Sequence, residues 1–185
     1  MRLIIQLDLM ETCNTSVMPD DFISQLAANI KAKEESAALA SKTQLHKADF
    51  IRANCHAFFE QVVGELKRLT DDLTQALEGT SSAEPPIVLS RPGNVANPGV
   101  MVAKDDFPSA NAKLNLNPQG LNLAFHLTWA ARKNGPTPHA ILGAWKFDVS
   151  PENNLILTKQ PGGAAQSFST PKELAEFVIK TIFTV

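Results

Sequence analysis

The residues that could supply a nucleophile or bind a metal are two cysteines and four histidines, and their spacing favours neither chemistry. His56 directly follows Cys55, but neighbouring residues on a helix point about 100° apart, so His56 is poorly placed to activate the thiol. We therefore expect Cys55 to be a buried structural cysteine. The only other cysteine is Cys13, so the sequence predicts no disulfide framework, which favours a reduced, cytoplasmic setting.

The histidines lack the spacing of metal ligands. His46 and His56 are ten residues apart, which is neither the i,i+3 nor the i,i+4 spacing that places two ligands on one helix face. His126 lies between two apolar residues of a predicted strand and should face solvent, and His139 lies in a predicted loop. We expect no metal and no cofactor.

Other catalytic motifs are also missing from the sequence. It contains no glycine-rich phosphate loop and no nucleophile elbow. The acid pairs Asp71-Asp72 and Asp105-Asp106 are adjacent only in sequence, and successive residues of a helix or strand point in different directions. These pairs are therefore expected on the solvated surface, and the chain is not expected to be an enzyme.

Composition and charge exclude several kinds of partner. The chain has 185 residues and a formal charge of −2, so we expect neither nucleic acid nor an anionic membrane as a partner. No run of apolar residues is long enough to span a bilayer, which predicts a soluble protein.

The length predicts a single domain, 1–185, and residues 1–17 should form either a short strand at 3–9 or a leader.

The element that organises the chain is a predicted long helix at 20–78, which contains no proline and only one glycine. Ile23, Leu26, Ile30 and Ala37 form its first apolar face. A second set of residues, at alternating spacings of three and four, resembles a coiled-coil seam. Its members are Leu45, Ala48, Arg52, Cys55, Phe59, Val62, Leu66, Leu69, Leu73 and Ala76.

The register of the apolar face slips between Ala37 and Leu45, so this helix should either kink there or turn into a helical hairpin. A continuous helix would be about 90 Å long at 1.5 Å per residue, more than a domain of this size can cover. The helix must therefore fold back or find a partner chain. Arg52 could fix the register of a seam, but packing of its aliphatic stem at the seam edge is favoured.

The rest of the chain predicts an antiparallel meander of four to six strands at 87–158. Its clearest hairpin turns at 117–120 and continues with alternating apolar residues. The predicted buried face comprises Leu121, Leu123, Phe125, Leu127 and Trp129. A short helix at 171–183 follows, with Thr170 and Glu173 as a capping box. This order predicts an α+β fold in which helices pack on one face of the sheet.

Two functional hypotheses follow from these elements. The first is a non-catalytic protein-interaction or self-assembly module, either a homodimer or a complex with another protein, that uses the long helix. Its predicted interface comprises Phe58, Phe59, Val62, Leu66, Leu69 and Leu73. The alternative is a small-molecule-binding protein or enzyme with a pocket between helix and sheet. That pocket would be lined by Leu123, Phe125, Trp129, Trp145 and Phe147.

Overall fold

The computed structural model describes residues 20–77, 87–104, 109–130, 139–159 and 166–185. Several predictions lie outside these residues and stay predictions. They concern the leader or strand at 1–17, which includes Cys13, and the acid pair Asp105-Asp106.

The first element, α1, is a single α-helix over Asp20–Leu77, which confirms the predicted long helix. It continues through residues 36–44, so the alternative of a helical hairpin is wrong. That segment contains no glycine or proline to form a turn. Its polar side chains bond within the helix instead. The Ser36 hydroxyl donates to the Lys33 carbonyl at 2.9 Å, and the Thr43 hydroxyl donates to the Leu39 carbonyl at 2.9 Å.

Six antiparallel strands follow, each hydrogen-bonded to the next along the chain, as the meander predicts. The strands are β1 Val88–Ser90, β2 Gly99–Lys104, β3 Ser109–Asn117, β4 Asn122–Ala130, β5 His139–Val149 and β6 Leu155–Lys159. The second helix, α2, spans Pro171–Thr184. The N-cap half of the predicted capping box is confirmed, because the Glu173 amide donates to the Thr170 hydroxyl at 3.2 Å. The Glu173 carboxylate accepts from the Ser169 amide at 2.7 Å, one residue before the N-cap amide that a capping box uses.

The β3–β4 hairpin corrects one detail of the predicted sheet. Asn117 pairs with Asn122, so the loop has four residues and includes Leu121. The Gly120 amide donates to the Asn117 side chain at 3.0 Å, and Leu121 has a φ of 50°. Leu121 therefore belongs to the turn, where it is only half-buried, and the buried alternation begins at Leu123.

Both helices pack on the same face of the sheet. Trp145 and Phe147 of β5 are two residues apart and so point to the same side. The Phe147 ring contacts Phe58 of α1, and the Trp145 ring contacts Phe177 of α2, with centroid separations of 5.7 and 5.9 Å. The core therefore lies between one sheet face and a layer of two helices, as predicted for this α+β fold.

The chain divides into two units, Met1–Thr43 and Gln44–Val185. In the described residues, the first unit consists only of the α1 segment 20–43. The second contains the sheet, α2 and the hydrophobic core, whose first member along the chain is Ile51. The two units thus differ sharply in how much apolar surface they bury.

Candidate interaction surface

The residues predicted to form an interface between chains lie in the core of the second unit. Phe58, Phe59, Val62 and Leu66 are at most 6% exposed. Leu69 and Leu73 are half-buried and pack against the same core. The four buried side chains are therefore not free to contact another chain, whereas Leu69 and Leu73 stay partly exposed at the edge of the core. The predicted interface is therefore corrected to a core-facing stripe of α1.

The predicted pocket is filled by its own lining. The Trp145 ring lies 5.5 Å from Phe125 and 5.3 Å from Phe168 between centroids. Its indole N–H donates to the Gln166 carbonyl at 2.9 Å. Leu123 and Phe147 are also buried, whereas Trp129 is half-buried near the end of β4. Leu123, Phe125, Trp145 and Phe147 therefore belong to the buried core, and Trp129 packs against its edge.

Cys55 lies in the core, as expected for a structural cysteine. It is fully buried, and its thiol donates to the Arg52 carbonyl at 3.6 Å. Burial raises the pKa of the Cys55 thiol, because a thiolate loses its hydration in an apolar environment. His56 is exposed on the surface of α1. The thiol is therefore shielded from solvent and held in its neutral, unreactive form.

His56 lines a shallow cleft of about 410 Å³ together with Arg91 and Glu60. The Arg91 guanidinium forms a two-pronged ion pair with Glu60, with Nη1 3.0 Å from Oε2. Both carboxylate oxygens of Glu60 are thus engaged by Arg91. This pair links the β1–β2 loop to α1.

Among the residues that the structure describes, no group of three histidine, cysteine, aspartate or glutamate side chains is placed to bind a metal. His46 is exposed and His126 is half-buried. The side chain of His139 lies outside the described residues.

Arg52, the charged member of the predicted seam, is exposed on the surface of α1. Its Nη1 lies 3.2 Å from Asp49 Oδ1, three residues earlier on the same helix. The guanidinium therefore lies outside the core. Exposed ion pairs of this kind contribute about 0.2–1 kcal/mol at most.

A contiguous set of large apolar side chains is exposed in the first unit, and we refer to it as the N-terminal stripe. It comprises Phe22, Ile23, Leu26 and Ile30, which are 50%, 58%, 49% and 51% exposed. Residues three, four and seven apart share one face of a helix, so these four side chains form one surface. Leu39 is 68% exposed but lies nine residues after Ile30, about two and a half turns later and hence on the opposite side.

The chain shows no significant match to a protein-family model, to a curated protein or to a solved structure. Neither described helix is long and apolar enough to cross a membrane.

Proposed function

We propose that this protein is a self-assembly module, and that the N-terminal stripe of one copy binds the same stripe of a second copy. The observation that carries the proposal is the exposure of four neighbouring large apolar side chains on one helix face. Single exposed apolar residues are ordinary, but a contiguous apolar set is typical of a surface that binds another molecule.

The composition of the segment supports a helix that is stable enough to present this surface. Residues 20–43 contain six alanines and neither glycine nor proline. However, the stability of a helix in a protein comes mainly from packing of its apolar face, and the core of the described residues begins only at Ile51. A second helix laid along the stripe would supply the missing packing.

A second copy fits this role because the stripe is compatible with pairing to itself. Its members are all apolar, so two copies can be buried face to face without placing an unpaired charge between them. Burial of a leucine, isoleucine or phenylalanine side chain stabilises by about 1.5–3 kcal/mol when complete, and each member here is already about half covered. Association costs at least several kcal/mol, so the expected dimer is of moderate affinity.

Two leucines of the same helix provide a matched test. Leu26→Glu places a charge in the stripe, whereas Leu39→Glu places the same charge on the opposite side of the helix, where the side chain is also exposed. Sedimentation equilibrium should show that Leu26→Glu weakens self-association at least tenfold, which corresponds to about 1.4 kcal/mol. Leu39→Glu should associate like the wild type.

Equal weakening by both substitutions would contradict the stripe as the contact surface. So would a Leu26→Glu variant that associates as tightly as the wild type. Circular dichroism on each variant verifies that α1 and the sheet remain folded, so that a change in mass reports on association.

A further inference from the structure

We infer that α1 consists of two parts that unfold separately: residues 22–46 open often by local unfolding, while residues 51–66 stay folded with the core. In a single chain the first part, which carries the N-terminal stripe, is helical most of the time. A partner bound to the stripe shifts this opening equilibrium further towards the helix. The local opening follows from the chain's own contacts, whereas its dependence on protein concentration rests on the proposed self-association.

The exposure of side chains changes abruptly along α1. Every residue from 22 to 47 is exposed, Ala48 is the first half-buried residue, and Ile51 is the first member of the hydrophobic core. A helix in a protein gains most of its stability from packing of its apolar face. Only the part of α1 that begins near Ala48 has such packing within the chain.

Polar contacts show the same boundary. Within the described residues, the ion pairs of α1 involve only Lys47 and later positions. In the earlier part, the hydroxyls of Ser36 and Thr43 bond to carbonyl oxygens of the same helix. These bonds do not join the helix to the sheet, and a hydroxyl bond to the carbonyl four residues earlier, as made by Thr43, slightly destabilises a helix.

The composition of the first part gives a helix of marginal stability. Alanine is the best helix former and occurs six times at 22–46, but five positions hold weaker helix formers, serine, threonine or asparagine. Without packing, even good helix formers add little stability per residue. The helix at 51–66 is held by the core and provides a nucleus, so the first part can open and re-form without a new nucleation step. Local unfolding of this kind is typical of segments with few buried contacts.

A partner that binds only the helical stripe suppresses the opening by mass action. The protection of the amides from hydrogen exchange then rises by a factor of about one plus the ratio of free monomer concentration to Kd. Free monomer at ten times the Kd should therefore raise the protection of residues 22–46 about tenfold.

Hydrogen exchange followed by mass spectrometry measures the opening along α1. It is measured first in the Leu26→Glu variant at low concentration, which separates the opening from self-association. Peptides from 22–46 should exchange at least a hundredfold faster than peptides from 51–66, relative to the rates of an unfolded chain. Equal protection of the two parts would overturn the local opening.

A matched pair of glycine substitutions in the same background tests whether the two parts unfold together. Ala32→Gly and Ala53→Gly each replace an exposed alanine inside α1, and glycine weakens an exposed helix by a similar amount at either position. Both tryptophans lie in the sheet, so their fluorescence reports on unfolding of the second unit.

Ala53→Gly should lower the urea midpoint of this fluorescence change. Ala32→Gly should leave the midpoint unchanged and accelerate exchange of the neighbouring amides about fivefold, as expected from the usual helix penalty of glycine. Equal shifts of the urea midpoint would show that α1 unfolds as one unit with the core and would overturn the inference.

The concentration dependence separates this inference from the proposed self-association. In the wild type and in Leu39→Glu, exchange at 22–46 should slow as the dimer forms, whereas in Leu26→Glu it should not change. Fast local exchange with a monomeric mass at every concentration supports the local opening and contradicts self-association. A dimeric mass with slow exchange at 22–46 in the monomer overturns the local opening alone. A dimer that does not slow this exchange overturns the coupling between opening and association.

Discussion

The ring of Phe58 in α1 meets the ring of Phe147 in β5 edge to face, with centroids 5.7 Å apart and planes at 88°. From the sequence, Phe58 belongs to a predicted interface between chains and Phe147 to a predicted ligand pocket. The contact joins the two residues inside one core. Both residues are therefore buried in the core of the second unit. The exposed apolar side chains of α1 that lie together on one face are those of the N-terminal stripe.

This contact predicts a measurable coupling. Phe58→Ala and Phe147→Ala should each lower the free energy of unfolding by about 3–5 kcal/mol, because each leaves a cavity in a packed core. The double substitution should cost about 0.5–1.5 kcal/mol less than the two losses added, which is the usual value of an edge-to-face pair. Urea denaturation of the wild type, the two single variants and the double variant measures this coupling free energy. Strict additivity would contradict a direct contact.

The two tryptophans should differ in their effect on stability. Trp145 is fully buried and bonded to the Gln166 carbonyl, whereas Trp129 is half-buried. Trp145→Ala should cost about 3–5 kcal/mol, and Trp129→Ala should cost clearly less. Thermal and urea unfolding measure the stability of both variants. Equal losses of stability would contradict the assignment of Trp145 as buried and Trp129 as half-buried.

The Cys55 thiol should react slowly with thiol reagents in the native protein. Burial both blocks access and raises the pKa of the thiol, so little thiolate is present at neutral pH. Labelling of Cys13→Ser protein should become fast only when a denaturant unfolds the chain. Rapid stoichiometric labelling under native conditions would show that the thiol is accessible.

The ion pair between Lys47 and Asp148 should contribute to stability in a pH-dependent way. The hydrogen bond from Lys47, whose Nζ lies 3.0 Å from Asp148 Oδ1, is the largest cause that lowers the pKa of Asp148 below its ordinary value of 3.8. A lowered folded-state pKa stabilises the protein above pH 3.8, and this contribution is lost as the pH falls through the folded-state pKa.

Lys47→Met should therefore lower stability by less than about 1 kcal/mol at neutral pH, since both side chains are largely exposed. The difference from the wild type should shrink as the pH falls below 3.8. Lys42→Met is a suitable control, because no ion pair of Lys42 is found among the described residues. A pH-independent loss for Lys47→Met would instead indicate lost packing of its aliphatic chain.

The order of elements could be predicted from the sequence because each is specified locally. Residues 20–77 form a helix because they combine high helix propensity with a lack of breakers, and the β3–β4 hairpin turns where Asn117, Pro118 and Gly120 favour a turn. The position of Leu121 was predicted incorrectly, because the loop between the paired residues Asn117 and Asn122 has four residues, whereas a turn at 117–120 implies a loop of two.

The partner of the α1 seam could not be predicted from spacing alone. A repeat of three and four residues is common to coiled coils and to helices packed on a sheet. The sequence feature that distinguishes the two cases is the width of the apolar face of α1 around the predicted seam. Ile51, Phe58 and Val63 flank the seam and are also buried, so the stripe is broader than a coiled-coil seam. Such a broad face is typical of a helix that packs against its own core.

The mass of the wild-type protein in solution tests the central claim most directly. Light scattering after size-exclusion chromatography, from low to high micromolar concentration, should show a mass that rises toward twice the 20.1 kDa of one chain. The Leu26→Glu variant should remain near the mass of one chain over the same range. A wild-type mass of one chain at every concentration would contradict self-assembly through the N-terminal stripe.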